Sequence, residues 1–537
     1  MRAVHLVPAG VVLLALGAIG AAASLDRPTA SPNLAAVTRQ AKVTAAARAC
    51  PPTLGGGSGT VALIAGPAGS NASGQAELAS LPPAGVQLQP AGAISAKGPG
   101  VLSLLTVPAA STAATKNTKD TRATKGTKDT KETKGTSEPT GWSVTASGAM
   151  AQAMEAEVAQ SSGLASLRCG EPGSDIWFVG PGQQNGAAQI QLELMNIDSL
   201  AAAVDVSLIT EAGPVQAGTD TGITVSPHET VTESLSSAAG NSSVVAIEVR
   251  TSSGRVAADV SEGGSAHGST TSWLPSAAEP ATQLVIPGVP PSSRAAELFL
   301  TVPGTANAKV NVVAITPQGQ YRPFGSQPID LPGQSASSMA LTPLGGTAAA
   351  IAITANVPVT ATVLVPGTGV GAFTAATAPI SEQAVVAGNI SGSGFTPSVV
   401  LSAPGGAARV RLTEISASTG SAGSQVISVL AGHTLMVPVT APSSAKRGVA
   451  FAVVITPLAG SGPLYAARVE TQDQRTVVSI IPAASALTTI SLPRVSDSYD
   501  AITPLRPASR KPSRGSGPRG GVSRVSWVSR ARRSRDR

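Results

Sequence analysis

The feature that most constrains this chain is a unit of alternating, β-prone runs that occurs three times. In the first copy "IQLELMNIDSLAAAVDVSLIT" is followed by "TGITVSPHETVTESL" and "VVAIEVRTSSGRVAADV". In the second, "ELFLTVPGTANAKVNVVAIT" precedes "QPIDLPGQSASSMAL" and "AAAIAITANVPVTATVLV". In the third, "SVVLSAPGGAARVRLTEIS" precedes "QVISVLAGHTLMVPV" and "GVAFAVVITPLAGSGPLYAARV". Aligning Val204, Val310 and Val410 gives spacings of 106 and 100 residues. Solenoid repeats and propeller blades recur at roughly 20 to 50 residues, so this period marks whole domains. Each copy holds roughly six or seven alternating runs, with turn residues about every 8 to 12 positions. The expectation is an all-β chain of tandem antiparallel β-sandwich units, immunoglobulin-like in architecture if not in topology. The units are expected over residues 183–275, 283–367 and 395–472.

Ahead of the repeats, residues 50–182 read as a β-rich N-terminal region of less regular pattern. Short runs such as "GTVALIAG" and "GVLSLLTVPA" are split by Gly and Pro, as strands are by turns. They are interrupted by "TKNTKDTRATKGTKDTKETKGT", with a cation at every third position from Lys116 to Lys134. A period of three matches neither helix nor strand and offers nothing apolar to bury, so 112–140 is expected to be a disordered insertion. The following "GWSVTASGAMAQAMEAEVAQSSG" predicts a strand and then a short helix, because Ala, Met and Glu favour helix. The Ala/Thr-rich residues 25–49 read as a stalk.

The two ends constrain location. After Arg2, residues Leu6 to Ser24 form an uncharged run of 19, about 28 Å long as a helix. With Ala21-Ala22-Ala23 at its end, residues 1–24 fit a cleaved signal peptide or a retained N-terminal membrane anchor, with a buried core helix as a third reading. Either leading reading places the rest outside the cytoplasm, with membrane contact only through that segment. At the other end, Arg506 to Arg537 carries eleven Arg/Lys against Asp536 alone. That basic segment turns an otherwise slightly acidic chain into one of net charge +7. Residues 500–537 are therefore expected to be a disordered basic tail. Nucleic acid is the usual partner of such a tail, but an exported chain rarely meets it, which leaves anionic polymer or lipid headgroups.

The densest chemistry is "RCGEPGSDIWFVGPG" at 168–182. In an exported protein with two cysteines, Cys50 and Cys169 are expected to form a disulfide. Trp177 and Phe178 are then expected as core residues packed near that bridge, and Gly170, Gly173, Gly180 and Gly182 as turn residues. The alternative makes Glu171 and Asp175 a glycosidase-like acid/base pair, but the chain has only four Trp and three Tyr to present to sugar. His5 lies in the leader, His228 and His433 in turn regions and His267 in a Gly/Ser loop, with no metal-ligand spacing among them. No P-loop, dinucleotide fingerprint or Asp-rich calcium loop is present, and no G-x-S-x-G elbow opens a helix. Catalytic residues, cofactor and metal are all expected to be none.

The segments "CGEPGSDIWFVGPG", "WLP" at Trp273 to Pro275 and "VIPGVP" at Val285 to Pro290 resemble DUF5719, an actinobacterial family of exported proteins of unknown function. The resemblance runs from about Cys50 to about Val469. It implies an envelope or secreted location and supplies no catalytic residues. The expected role is a non-catalytic extracytoplasmic scaffold or interaction protein, with cell-wall polymers or envelope proteins as partners. The alternatives are a polysaccharide-binding accessory to envelope glycan assembly, or an extracytoplasmic hydrolase.

Overall fold

The computed structural model describes residues 39–492, apart from 55–57, 67–72, 85–93, 109–140, 161–164, 186, 216–221, 265–270, 292–295, 326, 342–343, 345, 367–370, 391, 393, 418–419, 443–449 and 474–475. The leader, the first part of the expected stalk, the Thr-Lys insertion and the basic tail lie outside the described residues. Among the described residues no helix is long and apolar enough to cross a membrane.

The chain is nearly all β, and its sheets pair into sandwiches that share one strand order. In each sandwich the first strand pairs with the sixth, the sixth with the third and the third with the fourth. The opposing sheet runs fifth, second, seventh, eighth. All recorded pairings between named strands are antiparallel. In an immunoglobulin domain the first strand lies beside the second and the seventh beside the sixth. Here those partners are exchanged, so the likeness is one of architecture alone.

The three units legible as repeats have a fourth relative, which is the N-terminal region itself. Val204, Val310 and Val410 all lie on third strands and face Ile223, Ile329 and Ile427 on fourth strands. Leu78 faces Ile94 in the same way within the N-terminal region. Leu78 and Val204 are 126 residues apart because the link from the fifth to the sixth strand, Val107 to Gly141, holds 33 residues. The equivalent links in the other sandwiches hold nine, seven and twelve.

Several expectations need correction. Residues 39–49 do not form a stalk: Arg39–Lys42 and Ala45–Cys50 are strands, the second ending in the buried Ala49 and Cys50. The expected helix after Trp142 is one 3-10 turn, Ala149–Ala151, between strands Gly141–Gly148 and Glu155–Gln160. Helix propensity loses there because Ala156 and Val158 alternate into the core of the first sandwich. The sheets also extend past the periodic units, since Asp175–Pro181, Ala281–Val289 and Ala384–Asn389 are first strands. Gly180 thus lies in a strand rather than a turn.

Third strands alternate as an amphipathic strand must. Val410 and Leu412 are buried while Arg409 and Arg411 are exposed. Sixth strands are apolar on both faces. In Val244–Ser253, Val245, Ile247 and Val249 fill the second sandwich, while Val244 and Ala246 pack with Phe299 and Ala336 of the third. The third and fourth sandwiches meet where Val400, Ala467, Val469 and Ile480 join the core of the third. The fourth meets the first through Ala62, Ile64, Val385, Ala387 and Ala452. The first meets the second through Ala49, Leu81, Met195, Ile197 and Ala257, so the circuit closes. Strands Arg39–Lys42 and Thr489–Leu492 form a two-stranded sheet of their own, and Val43 N–H donates to Thr488 O at 2.9 Å.

Cys50 and Cys169 are disulfide-bonded, with Cα atoms 4.4 Å apart and a sequence separation of 119. The bridge is buried in a cluster with Trp142 and Trp273. Trp177 and Phe178 are buried as well, but in clusters that do not contain the cysteines. The aromatics beside the bridge come from a sixth and an eighth strand, so adjacency in sequence misplaces them.

On the chain-entropy model, a bridge closing so long a loop stabilises by about 4 to 5 kcal/mol. Reduction of the native protein is expected to lower its melting temperature by several degrees, measured by calorimetry with and without dithiothreitol. A second test concerns the close approach at Gly288, which has φ +84° and where an added Cβ would lie 2.4 Å from the Ala467 Cβ. Gly288→Ala is expected to cost about 1–3 kcal/mol. A denaturation cycle should show partial rescue by Ala467→Gly, with positive φ leaving a residual penalty.

Candidate functional site

The chain leaves every sandwich in the same manner. After the eighth strand a short exit segment turns back and makes an isolated antiparallel bridge to the first strand of the sandwich just completed. Gly170 pairs with Ala49, Ala277 with Trp177, Thr377 with Val285 and Ser485 with Ala384. In the first sandwich both hydrogen bonds of this bridge form, Ala49 N–H to Gly170 O at 2.9 Å and Gly170 N–H to Ala49 O at 2.8 Å. The disulfide sits on the adjacent residues, as a covalent reinforcement of the same contact.

The four exits converge. Pro172, Pro275, Pro379 and Ala484, one from each, line a single cavity of about 690 Å³. That volume is ordinary for a ligand pocket, and pockets favour such domain junctions. Ile176, Leu284, Ile480 and Ile481 supply apolar wall. Its ionisable lining is acidic: Glu171, Asp175, Asp259 and Glu279 stand against Arg168.

Arg168 is already committed. Its Nε and Nη2 lie 2.8 and 2.9 Å from the two oxygens of the buried Glu155, and Nη2 also donates to Glu171 at 3.0 Å. Arg48 reaches the same Glu171 oxygen at 2.8 Å. Burial pushes the Glu171 carboxyl up, but the Arg48 and Arg168 guanidinia outweigh it and hold the group below its ordinary range. A carboxyl locked as an anion between two arginines is a poor general acid, so the pairing of Glu171 with Asp175 does not give the glycosidase arrangement. Both residues do line the cavity.

Asp259 differs from Glu171. It is only 5% exposed, its Oδ2 is sealed from solvent, and it has no hydrogen-bond partner. Its neighbour across the sheet is Glu193. Burial first, and the Glu193 charge second, push the Asp259 carboxyl well above its ordinary value. Burial also pushes Glu193 up to about 7, against a hydrogen bond from Thr232 at 2.6 Å. Glu262 is fully buried with both oxygens unpartnered, and burial raises it strongly too. At the contact of the fourth sandwich with the first, the buried Arg468 pairs with Glu157, while Gly388 N–H donates to the other Glu157 oxygen at 3.0 Å. Breaking such a buried pair from one side typically costs about 3–5 kcal/mol. Glu470, beside them, is pushed up to about 7 by burial.

The histidines are not brought together. His228 has φ +57° in the turn before Thr230–Ser234, and His433 opens the strand His433–Pro438 with its Nδ1 2.8 Å from Ala431 O. His5 and His267 lie outside the described residues. Among the described residues no three His, Cys, Asp or Glu side chains are grouped as metal ligands.

The model of the family of unknown function DUF5719 matches residues 127–440, more than half of the chain. The chain belongs to the DUF5719 family. No curated protein and no solved structure matches it. In this DUF5719 protein the stretches that carry the resemblance are junction pieces. Cys169 to Phe178 holds the first exit bridge and one wall of the cavity. Trp273 packs into the first sandwich's core and Pro275 lines the cavity. Within Val285 to Pro290, Gly288 meets the fourth sandwich.

The buried acids fix a pH dependence. Glu193 and Glu470 hold protons up to about pH 7 in the folded chain, whereas an exposed glutamate releases its proton near 4.5. Folding therefore takes up protons between those values. The contribution of these groups is fully present below pH 4.5 and is lost as pH rises through 7. Glu171, held low, works in the opposite sense and loses its contribution only under acid conditions. Melting temperature is expected to fall between pH 5 and pH 8 in thermal scans, with a shallower slope in Glu193→Gln.

Proposed function

We propose that this DUF5719 protein is a non-catalytic extracytoplasmic scaffold or interaction protein of the actinobacterial cell envelope. The buried Cys50–Cys169 bridge is the observation that carries the reading. Structural disulfides persist in oxidising compartments and are rare in the cytosol. The Leu6 to Ser24 run supports the same location, either as an export signal or as an anchor. The ionisable groups at the sandwich contacts support a framework role. Arg468 holds the fourth sandwich to the first, while Arg48 and Arg168 hold the first exit segment to the sandwich it leaves. A polysaccharide-binding role has weaker support, because sugar platforms need accessible rings. Trp142, Trp177 and Trp273 are all buried in cores, as are Phe178, Phe299, Phe373 and Phe451.

Fractionation of the native host tests the proposal. The protein is expected in the envelope or medium, with no thiol free for alkylation until reductant is added. A reduced cytoplasmic form would overturn it. Purified chains with and without residues 506–537 should then be offered to isolated cell wall. Retention independent of the tail supports a dedicated partner surface, whereas retention lost with the tail reduces the interaction to charge attraction.

A further inference from the structure

We propose that the cavity where the four exit segments converge is a binding site for a ligand carrying an ammonium or guanidinium group on a narrow apolar body. This deepens the interaction-protein reading above and rests on it. Four observations carry it. The cavity, about 690 Å³, is large enough to enclose a small molecule or a side chain. Its apolar surface comes from Pro, Ala, Ile and Leu, which suits a methylene chain better than a sugar ring; Tyr465 is its one aromatic wall.

The polar lining is short of donors. Arg168, the cavity's cation, is held by Glu155 and Glu171. Asp175 has Arg250 at 3.5 Å, but Arg250 lies closer to Glu248, at 2.5 Å, and Asp175 Oδ1 has no partner. Glu279 lies exposed on another wall.

Asp259 is the fourth observation. A carboxyl that is nine-tenths buried, with neither a hydrogen bond nor a cation beside it, is expensive to keep. Across the sheet it faces another acid, Glu193, which makes matters worse. A cation bound in the cavity would offset the charge cost, since it supplies opposite charge beside a carboxyl that lines the wall. Among the described residues no cluster of metal ligands is formed, so the chemistry points to an organic cation. Because burial raises the Asp259 carboxyl, docking of an ammonium group beside it favours the anion and sends the acid's proton to solvent. No covalent bond forms or breaks beyond this proton transfer.

Calorimetric titration of the disulfide-intact full chain provides the test, with 1,5-diaminopentane as probe and 1,5-pentanediol as its neutral counterpart. The diamine is expected to bind with proton release, read from the dependence of heat on buffer ionisation enthalpy, and the diol not to bind. Asp259→Asn is expected to weaken the diamine by roughly ten- to a hundredfold, the range of a charge-assisted hydrogen bond, and to abolish the proton release. Glu279→Gln, at an exposed position that cannot disturb the fold, should weaken it severalfold. A melting curve shows whether Asp259→Asn remains folded. If it does not, the proton count for the unaltered chain together with Glu279→Gln decides the matter. No diamine binding, equal binding of the diol, or binding without proton release and unchanged by the substitutions would each overturn the proposal. Such a failure beside an oxidised, envelope-located protein would leave the scaffold reading standing, whereas a cytoplasmic, reduced protein that still bound diamine would sink the scaffold reading alone.

Discussion

The structure depends on the two-residue bridge by which the chain, on leaving each sandwich, pairs with that sandwich's own first strand. A first strand sits at the edge of its sheet, where unpaired backbone groups invite association. The returning exit covers part of that edge and fixes the direction in which the next sandwich starts. Made four times, the same contact aims four short segments at one point and so encloses a cavity that no sandwich could form alone. In the first sandwich the contact carries the disulfide. That sandwich also bears the 33-residue link, the longest between any fifth and sixth strand and therefore the costliest to close. The covalent bond lies where the chain has most entropy to lose.

Small side chains set the style of the contacts between sandwiches. Aromatics are 2% of the chain, and seven of the eleven described are buried. A few aromatics, Trp273, Phe299 and Phe373, reach across a junction, and the rest of the contact is made by Ala and Val, by a glycine against an alanine at Gly288 and Ala467, and by buried charge. The Ala and Val contacts are individually weak and numerous. The ion pairs add direction, because Arg468 can satisfy Glu157 in only one relative placement of the first and fourth sandwiches.

Much of this was legible in the sequence, for definite reasons. Val204, Val310 and Val410 mark equivalent positions because third strands are amphipathic, and period two survives there. Leu78 belongs to the same set, but the long link after Val107 stretches the spacing beyond recognition. First strands such as "DIWFVGP" and "AVVAGN" are buried on both faces, so they show no alternation and read as motif or loop. The two cysteines could be paired by counting. The tryptophans beside them, Trp142 and Trp273, could not be assigned, because that neighbourhood exists only after the sheets stack. The cavity was invisible for the same reason: its walls are Pro- and Ala-rich pieces from four separated places. Glu193 and Asp259 look like residues of a solvent-facing strand surface, and only the first sandwich, lying over that surface, makes them buried acids.

The two-stranded sheet formed by Arg39–Lys42 and Thr489–Leu492 makes the start of the folded circuit arbitrary. Every named strand pair and every exit bridge would keep its two partners if those two strands were joined by a short linker and the backbone were cut instead between Thr377 and Ala384. The fold is in this sense circular, and its linear order is only one of several ways to thread it.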